Sequence, residues 1–319
     1  MAHDPPKETL INGANGLSSD VGTDGPPTGP ASMYHEDLSD IPAHMSTLLS
    51  KYSKIPFENQ KSHILNVRDK AYKSHPYPCL GRFRFLELDL STHPLYEEYV
   101  LPRLREVWGK PDATFLDLGT CLGQDIRKLV FDGAKPTNIF GSDIVPEFID
   151  AGYELFNDEG SFGREHFVIP GDVFDESPSN ALSKLDGKVD VLHATAVFHL
   201  FDKEQQVTVA RRCLRLLKRQ PQPGNGELDM RSLVLGGQAG NIEAQETARK
   251  DGAKKFRHNE ESWRDLWEKV AREEEFRDVV KGLEIKAEMQ KRYSEALQKQ
   301  IGSEDEGFRW MVWQVWVQF

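Results

Sequence analysis

Phe115-Leu116-Asp117-Leu118-Gly119-Thr120-Cys121-Leu122-Gly123-Gln124-Asp125 is the stretch that decides the fold. It begins as a short apolar strand ending in an acid, passes through a turn of small residues and runs on into a helical pattern. Gly119 and Gly123 carry no Cβ, so the backbone can turn tightly there and a ligand can approach it closely. A binding site is therefore expected at the carboxyl end of this strand, where open α/β sheets take their ligands. A dinucleotide fingerprint would need a second glycine two residues beyond Gly119. Cys121 stands at that position, which argues against a pyrophosphate cradle.

Outward from this unit, short apolar runs alternate with helical stretches: Thr114 to Leu118, Asn138 to Ser142, His166 to Ile169, Val189 to His193, and Ser232 to Gly236. Parallel strands need crossover connections and are buried on both faces, so the pattern predicts a parallel sheet wrapped by helices. Glu260 to Val270 reads as an amphipathic helix. Gly282 to Gln290 and Arg309 to Phe319 read as strands close together at the end of the chain, an antiparallel pair added to the sheet. The expected fold is α/β, a doubly wound, mostly parallel, seven-stranded sheet with this C-terminal pair. Trp310, Trp313 and Trp316 on the last strand read first as core packing.

Upstream, Leu38 to Lys73 is punctuated by Pro42 and Pro56 and predicts two short helices acting as a cap. Gly81 to Leu90 alternates well enough for a strand and could equally be an extended loop, while Leu95 to Val107 reads as one helix. From His3 to about Ser32 the chain is dense in Gly, Pro, Asn, Asp, Ser and Thr, too polar to offset ordering entropy. The expected organisation is a disordered tail over 1–32, a helical cap and substrate lid over 33–110, and a binding core over 111–319. Gln220 to Gly226 is expected to be a surface loop.

Two further acids close predicted strands. Asp143, in Gly141-Ser142-Asp143-Ile144, is placed to accept both hydroxyls of a ribose, the role of an acid at the end of a second strand. Asp172, in Gly171-Asp172-Val173-Phe174, is placed to accept from an adenine amino group, with Ile144 or Val173 flanking the ring. The plain alternatives are a tight turn with no ligand and, for Asp143, a helix N-cap. His199 lies among Val197, Phe198, Leu200 and Phe201 and suits either a packed histidine or a catalytic base.

The 319 residues carry 40 Lys plus Arg against 51 Asp plus Glu, a net charge of −11 that disfavours nucleic acid and anionic membranes as partners. The three cysteines, Cys79, Cys121 and Cys213, are odd in number and widely spaced, which suits neither a disulfide framework nor a zinc site. No basic segment leads into an apolar run at the start and no stretch is long enough for a membrane span, so a cytoplasmic protein is expected.

Through Tyr77-Pro78-Cys79-Leu80-Gly81-Arg82-Phe83-Arg84-Phe85, the Leu116 to Asp125 turn, Gly141-Ser142-Asp143, Gly171-Asp172-Val173 and Val197-Phe198-His199-Leu200-Phe201, the chain resembles the class I S-adenosylmethionine-dependent methyltransferases. More narrowly it is similar to fungal natural-product enzymes, including carboxyl methyltransferases of meroterpenoid pathways. The resemblance implies S-adenosylmethionine as cofactor, no metal, and a small-molecule acceptor methylated on a carboxylic acid; it leaves room for a homodimer. It puts Asp117, Gly119, Thr120 and Gly123 at the methionine end, Asp143 at the ribose and Asp172 and Val173 at the adenine, with Gln124, Ile144 and His193 also among the cofactor-binding residues. Tyr77, Arg82 and Arg84 would fall in the substrate lid, where a guanidinium can grip a carboxylate. Cys121 departs from the family's glycine pattern and constrains the backbone of the turn.

A carboxylate acceptor is already ionised and needs no general base, whereas a phenol would call on His199 first and His193 second. The rival readings are a phenol or amine methyltransferase, a non-catalytic nucleoside-binding regulator and, more distantly, a nicotinamide dehydrogenase.

Overall fold

The computed structural model describes residues 34–105, 113–219, 231–248, 254–291 and 305–319. The predicted tail over 1–32 and the loop at 220–226 lie outside them. Short apolar runs form the central strands β1 (Phe115–Leu118), β2 (Ile139–Ser142), β3 (Val191–His193) and β4 (Ser232–Asn241). β5 (Gln245–Ala248) and β6 (Lys254–Arg257) make a separate antiparallel pair, and β7 (Gly282–Gln290) and β8 (Phe308–Gln318) end the chain. The main sheet has six strands in the order β2-β1-β3-β4-β8-β7. Pairing is parallel from β2 to β4 and antiparallel where β8 joins β4 and β7 joins β8, as the terminal strand pair predicted.

The expected strand over His166 to Ile169 is not one of the six. Phe167 makes a single parallel bridge to Gly141 beyond β2, and no ladder follows. Val168 N–H donates to Gly141 O, but the Val168 carbonyl is taken by the Ser142 hydroxyl at 2.7 Å, a side chain where a second ladder bond would be.

The helices cover both faces. Upstream of β1 lie α1 (Ala43–Lys51), α2 (Phe57–Ser74) and the short α3 (Pro78–Gly81), α4 (Asp89–Thr92) and α5 (Leu101–Leu104). Pro42 and Pro56 immediately precede α1 and α2, as their fixed φ favours, and α2 is longer than the short helix expected. The Gly81 to Leu90 segment is neither strand nor extended loop. It is a run of short helical turns kinked at Phe83, whose φ is 58°. The single helix expected over Leu95 to Val107 is a π turn at Tyr96–Val100 leading into α5, and Val107 lies outside the described residues.

Within the core come α6 (Gln124–Phe131), α7 (Pro146–Phe156), α8 (Lys203–Leu216) and α9 (Glu260–Ala271). Capping boxes at Asp202 with Gln205 and at Asn259 with Ser262 satisfy the first N–H groups of α8 and α9. One face of the sheet buries Trp263, Trp267 and Trp313 with α8 and α9, and the other buries Tyr96, Leu129 and Tyr153 with α5, α6 and α7. Met45, Ile64, Val67 and Phe85 of the upstream segment pack on Phe148 and Leu155 of α7.

A buried ion pair ties these layers together. Arg127 on α6 is 0% exposed and meets both oxygens of Asp158 at 2.7 and 3.0 Å. It also donates to the carbonyls of Leu122 and Gly123, and its guanidinium lies 4.8 to 5.6 Å from the rings of Tyr153, Phe156, Phe162 and Phe167. Tyr52, at the end of α1, donates its hydroxyl to Asp158 at 2.8 Å. Removing one partner strands a buried charge, so Asp158→Ala should cost about 3–5 kcal/mol of stability. Tyr52→Phe should cost about 1 kcal/mol. Urea midpoints check both, with an unchanged slope showing that the unfolding remains two-state.

Candidate active site

The β1 turn is knitted to the neighbouring strand tips. Gly119 and Gly123 have φ of 75° and 70°, and Cys121, at the position that departs from glycine, takes the same left-handed backbone at 51°. The Gly119 and Thr120 N–H groups donate to Ser142 O at 2.8 and 2.9 Å, and Gly171 N–H donates to Asp143 O at 2.8 Å. Cys121 N–H donates to the Asp143 carboxylate at 2.9 Å. Asp117, Asp143 and Asp172 therefore arrive on segments joined at one edge of the sheet.

Their side chains do different things. Asp117 is buried and turned inward, accepting from the Thr120 hydroxyl and from His193 Nδ1, each at 2.7 Å. Asp143 sits beside the turn; burial pushes its carboxyl up to about 6, while N–H groups of Val145, Cys121 and Ile144 oppose the shift. These bonds make it a local acceptor beside the N-terminus of α7, whose cap position is Val145. Ile144 next to it is 44% exposed, an apolar side chain open at the site. Asp172 accepts from Phe174 N–H at 2.8 Å in its own turn, and Val173 packs partly into the core. Gln124 Oε1 is buried without a hydrogen-bond partner, an acceptor facing an unmet demand.

Asp125 is a group that the sequence did not single out. It accepts from Leu90 N–H at 3.0 Å, which fastens the upstream segment to α6. Burial pushes its carboxyl up to about 8, the His193 charge opposes this, and Asp117 and Asp89 add to it. His193 is buried too, with Nε2 2.7 Å from the Thr195 hydroxyl. Asp117, Asp125 and His193 lie close enough to share an ion, but the contact between His193 and Asp117 is a hydrogen bond in which Nδ1–H donates to the carboxylate.

A hollow of about 200 Å³ opens beside this cluster, between Glu87, Asp89 and His93 above and Thr195, Gly237 and Trp310 below. Arg84 touches two of its walls, meeting both Asp89 oxygens at 3.2 and 3.1 Å and lying 5.3 Å from the centre of the Trp310 ring. Tyr77 and Arg82 do not line it. Tyr77 packs edge-on against Phe148, and Arg82 lies beside Tyr72 and His35. Of the three tryptophans on β8, Trp313 is core and Trp310 faces the hollow.

His199 accepts from Ala239 N–H at Nδ1 (3.1 Å), and burial, with Arg257, Lys255 and Arg84 nearby, pushes its pKa well below 6.5. That environment fixes a neutral ring in a structural bond. Cys79, far away in sequence, meets Cys121 thiol to thiol, a contact that spacing alone conceals.

Residues 33–86 match the meroterpenoid methyltransferase N-terminal domain. O-methyltransferase phiE of a fungal species is 44% identical over 243 residues, covering 75% of this chain and 75% of the relative. The chain belongs to this family of fungal methyltransferases. Methyltransferase trt5 of Aspergillus terreus is 38% identical over 76% of this chain and 81% of its own. Methyltransferase ausD of Penicillium brasilianum is 33% identical over 83% and 89%. Among solved structures, a Haemonchus contortus phosphoethanolamine N-methyltransferase 2 in complex with S-adenosyl-L-methionine aligns at a TM-score of 0.45 and 14% identity, over 79% of this chain and 60% of that one. No helix among the described residues of this methyltransferase is long and apolar enough to cross a membrane.

The raised Asp125 carboxyl has a thermodynamic consequence. Between its ordinary value of 3.8 and about 8 the folded methyltransferase keeps a proton that the unfolded chain has lost. Stability therefore falls as pH rises through that window. Asp125→Asn should flatten the fall, leaving what His193, also raised, contributes above 6.5. Urea midpoints across the window check this; an undiminished slope would assign the fall to other groups.

Proposed function

We propose that this methyltransferase transfers the methyl group of S-adenosylmethionine to a carboxyl oxygen of a small polyketide-terpenoid acceptor, forming a methyl ester. The observation that carries the reading is the link between two features: a hollow of about 200 Å³ lined by Thr195 beyond β3 and by Gly236 and Gly237 in the middle of β4, and the joined, acid-bearing tips of β1 and β2, connected through the bonds from Thr195 to His193 and from His193 to Asp117. The family membership supports the reaction class, and the match over 33–86 supports the acceptor class.

The residues present fit the donor. Gln124 Oε1, buried and unpartnered, suits the ammonium of the methionine tail, and Asp143 suits the ribose hydroxyls. Ile144 offers an apolar face for the adenine, with Asp172 and Val173 on the neighbouring loop. Asp117 and Thr120, bonded to each other, hold the turn from within. Phe167 bridging to Gly141 stands where a seventh strand would extend the sheet. When bound, S-adenosylmethionine supplies an electrophilic methyl group for in-line displacement. The chain's own work is to align the acceptor and exclude water. Residues 33–110 serve as the cap that roofs the hollow, with Arg84 the lid residue nearest the acceptor, and the enzyme works in the cytoplasm.

Asp143→Ala should weaken S-adenosylmethionine binding by about 1–3 kcal/mol, the range for losing a hydrogen bond to a charged partner. Calorimetry reads this, and an unchanged affinity would reject the ribose role. Incubation with labelled donor and a panel of carboxylic acids, phenols and amines should label the acids. Labelling of phenols or amines in place of the acids, or of nothing, would overturn the acceptor reading.

A further inference from the structure

Thr195 lines the hollow from the end of β3, and a chain of short hydrogen bonds runs back from its hydroxyl. Thr195 Oγ1 lies 2.7 Å from His193 Nε2, and His193 Nδ1 lies 2.7 Å from Asp117 Oδ1. The carboxylate can only accept, so Nδ1 carries the proton, and in the neutral ring Nε2 accepts from the threonine hydroxyl. Thr195 Oγ1 also accepts from Gly237 N–H at 3.1 Å, which holds it in place and leaves it one more lone pair. The order is hydroxyl, imidazole, carboxylate, opening on a cavity.

The same cavity is unfriendly to an incoming anion. Glu87 and Asp89 both line it, and the Arg84 guanidinium is already paired with both oxygens of Asp89. A carboxylate acceptor would be placed against like charge in a partly enclosed space, which favours the protonated, neutral form of any oxygen acid that enters. An acceptor that arrives with its proton must lose it for its methylated product to be neutral.

We propose that Thr195, backed by His193 and Asp117, is the acceptor-facing end of a proton relay, and that the acceptor binds as a neutral oxygen acid, carboxylic acid or phenol. The inference rests on the reading that this chain methylates an oxygen. As the O–H bond breaks, the acceptor oxygen keeps its electron pair and bonds the methyl carbon, and the S–CH3 pair returns to sulfur. The acceptor proton passes to Thr195 Oγ1 while the threonine proton passes to His193 Nε2. The resulting imidazolium faces Asp117 and is discharged to solvent after the product leaves.

The charged groups around His193 come from several elements: Asp117 on β1, Asp125 on α6 and Asp89 on α4, with His93 just beyond α4. Burial opposes the imidazolium, and Asp117, then Asp125 and Asp89, overcome it, so that its pKa lies above 6.5. His93 is pushed down to about 4 by burial and stays neutral. Thr195 touches the acceptor and is a catalytic residue on this assignment, whereas Asp117 acts through His193 and is a positioning residue.

The test joins NMR with kinetics. In the cofactor-free protein, the His193 ring nitrogens should titrate above 6.5 and Asp117→Asn should move that titration downward, while Thr195→Val should shift the Nε2 resonance. With labelled S-adenosylmethionine and an alkyl-substituted hydroxybenzoic acid, which offers a carboxyl and a phenol on one ring, kcat should rise with pH along a limb that matches the His193 titration. Thr195→Val should lower kcat about 100-fold with little change in donor KM, and Thr195→Ser should restore most of it. Mass spectrometry distinguishes ester from ether, and either product supports the relay. Methyl transfer that is flat in pH and indifferent to Thr195→Val would overturn it and show an acceptor that reacts as a preformed anion. A His193 titration unmoved by Asp117→Asn would overturn it as well. If the wild-type protein labels no oxygen acid, the functional reading fails, and the NMR measurements still decide the relay.

Discussion

The guanidinium of Arg127 is the fixed point around which this molecule is arranged. A buried charge must be satisfied on all sides, and Arg127 is satisfied only when Asp158, the Leu122 and Gly123 carbonyls and four aromatic rings converge on it. Convergence places the glycine turn against α6 and the loop after α7 against both. Asp158 then offers its remaining acceptor capacity to Tyr52, so the upstream segment docks onto the same pair that shapes the turn. Upstream segment and turn are thus positioned by one electrostatic requirement.

Much of the fold is written in apolar periodicity. Phe115 to Leu118 and Ile139 to Ser142 are short apolar runs buried on both faces, and the longer final strand is rich in aromatic and β-branched residues that favour an extended chain. Periodicity misleads where the same burial can be reached by another backbone. Phe83 and Phe85, and then Leu86, Leu88 and Leu90, each alternate like a strand, yet successive helical turns bury all five, with Phe83 in the left-handed region reversing the chain. Phe167 and Val168 are buried enough for a strand, but the Ser142 hydroxyl intercepts the carbonyl that a ladder would use.

The site was legible where chemistry is local and hidden where it is long-range. The glycine turn, Asp143 and Asp172 announce themselves by standing at the ends of apolar runs. Asp125 does not: in sequence it is an acid in the first turn of a helix, an ordinary preference, and only the fold buries it against Asp117 and His193. Cys79 and Cys121 likewise meet only because α3 folds over the β1 turn. His199 had the better sequence context for a base, with its cluster of neighbours, but Ala239 N–H occupies its Nδ1, and burial and then nearby cations oppose its protonation.

Strand register is what turns His193 into part of a chemical unit. Asp117 on β1 and His193 on β3 are direct parallel partners, so their side chains emerge on the same face of the sheet. Thr195 lies two residues further on from His193, and the period of two along an extended chain returns it to that face, where the 2.7 Å bond closes. A slip of one residue between the two strands would send His193 to the opposite face and leave Asp117 buried with the Thr120 hydroxyl as its remaining side-chain donor. The pairing that fills the core with Leu116 and Leu192 and the pairing that aligns carboxylate, imidazole and hydroxyl are the same pairing. Any substitution that loosens the packing of those leucines therefore acts on the chemistry as well, through the register and without touching a polar atom.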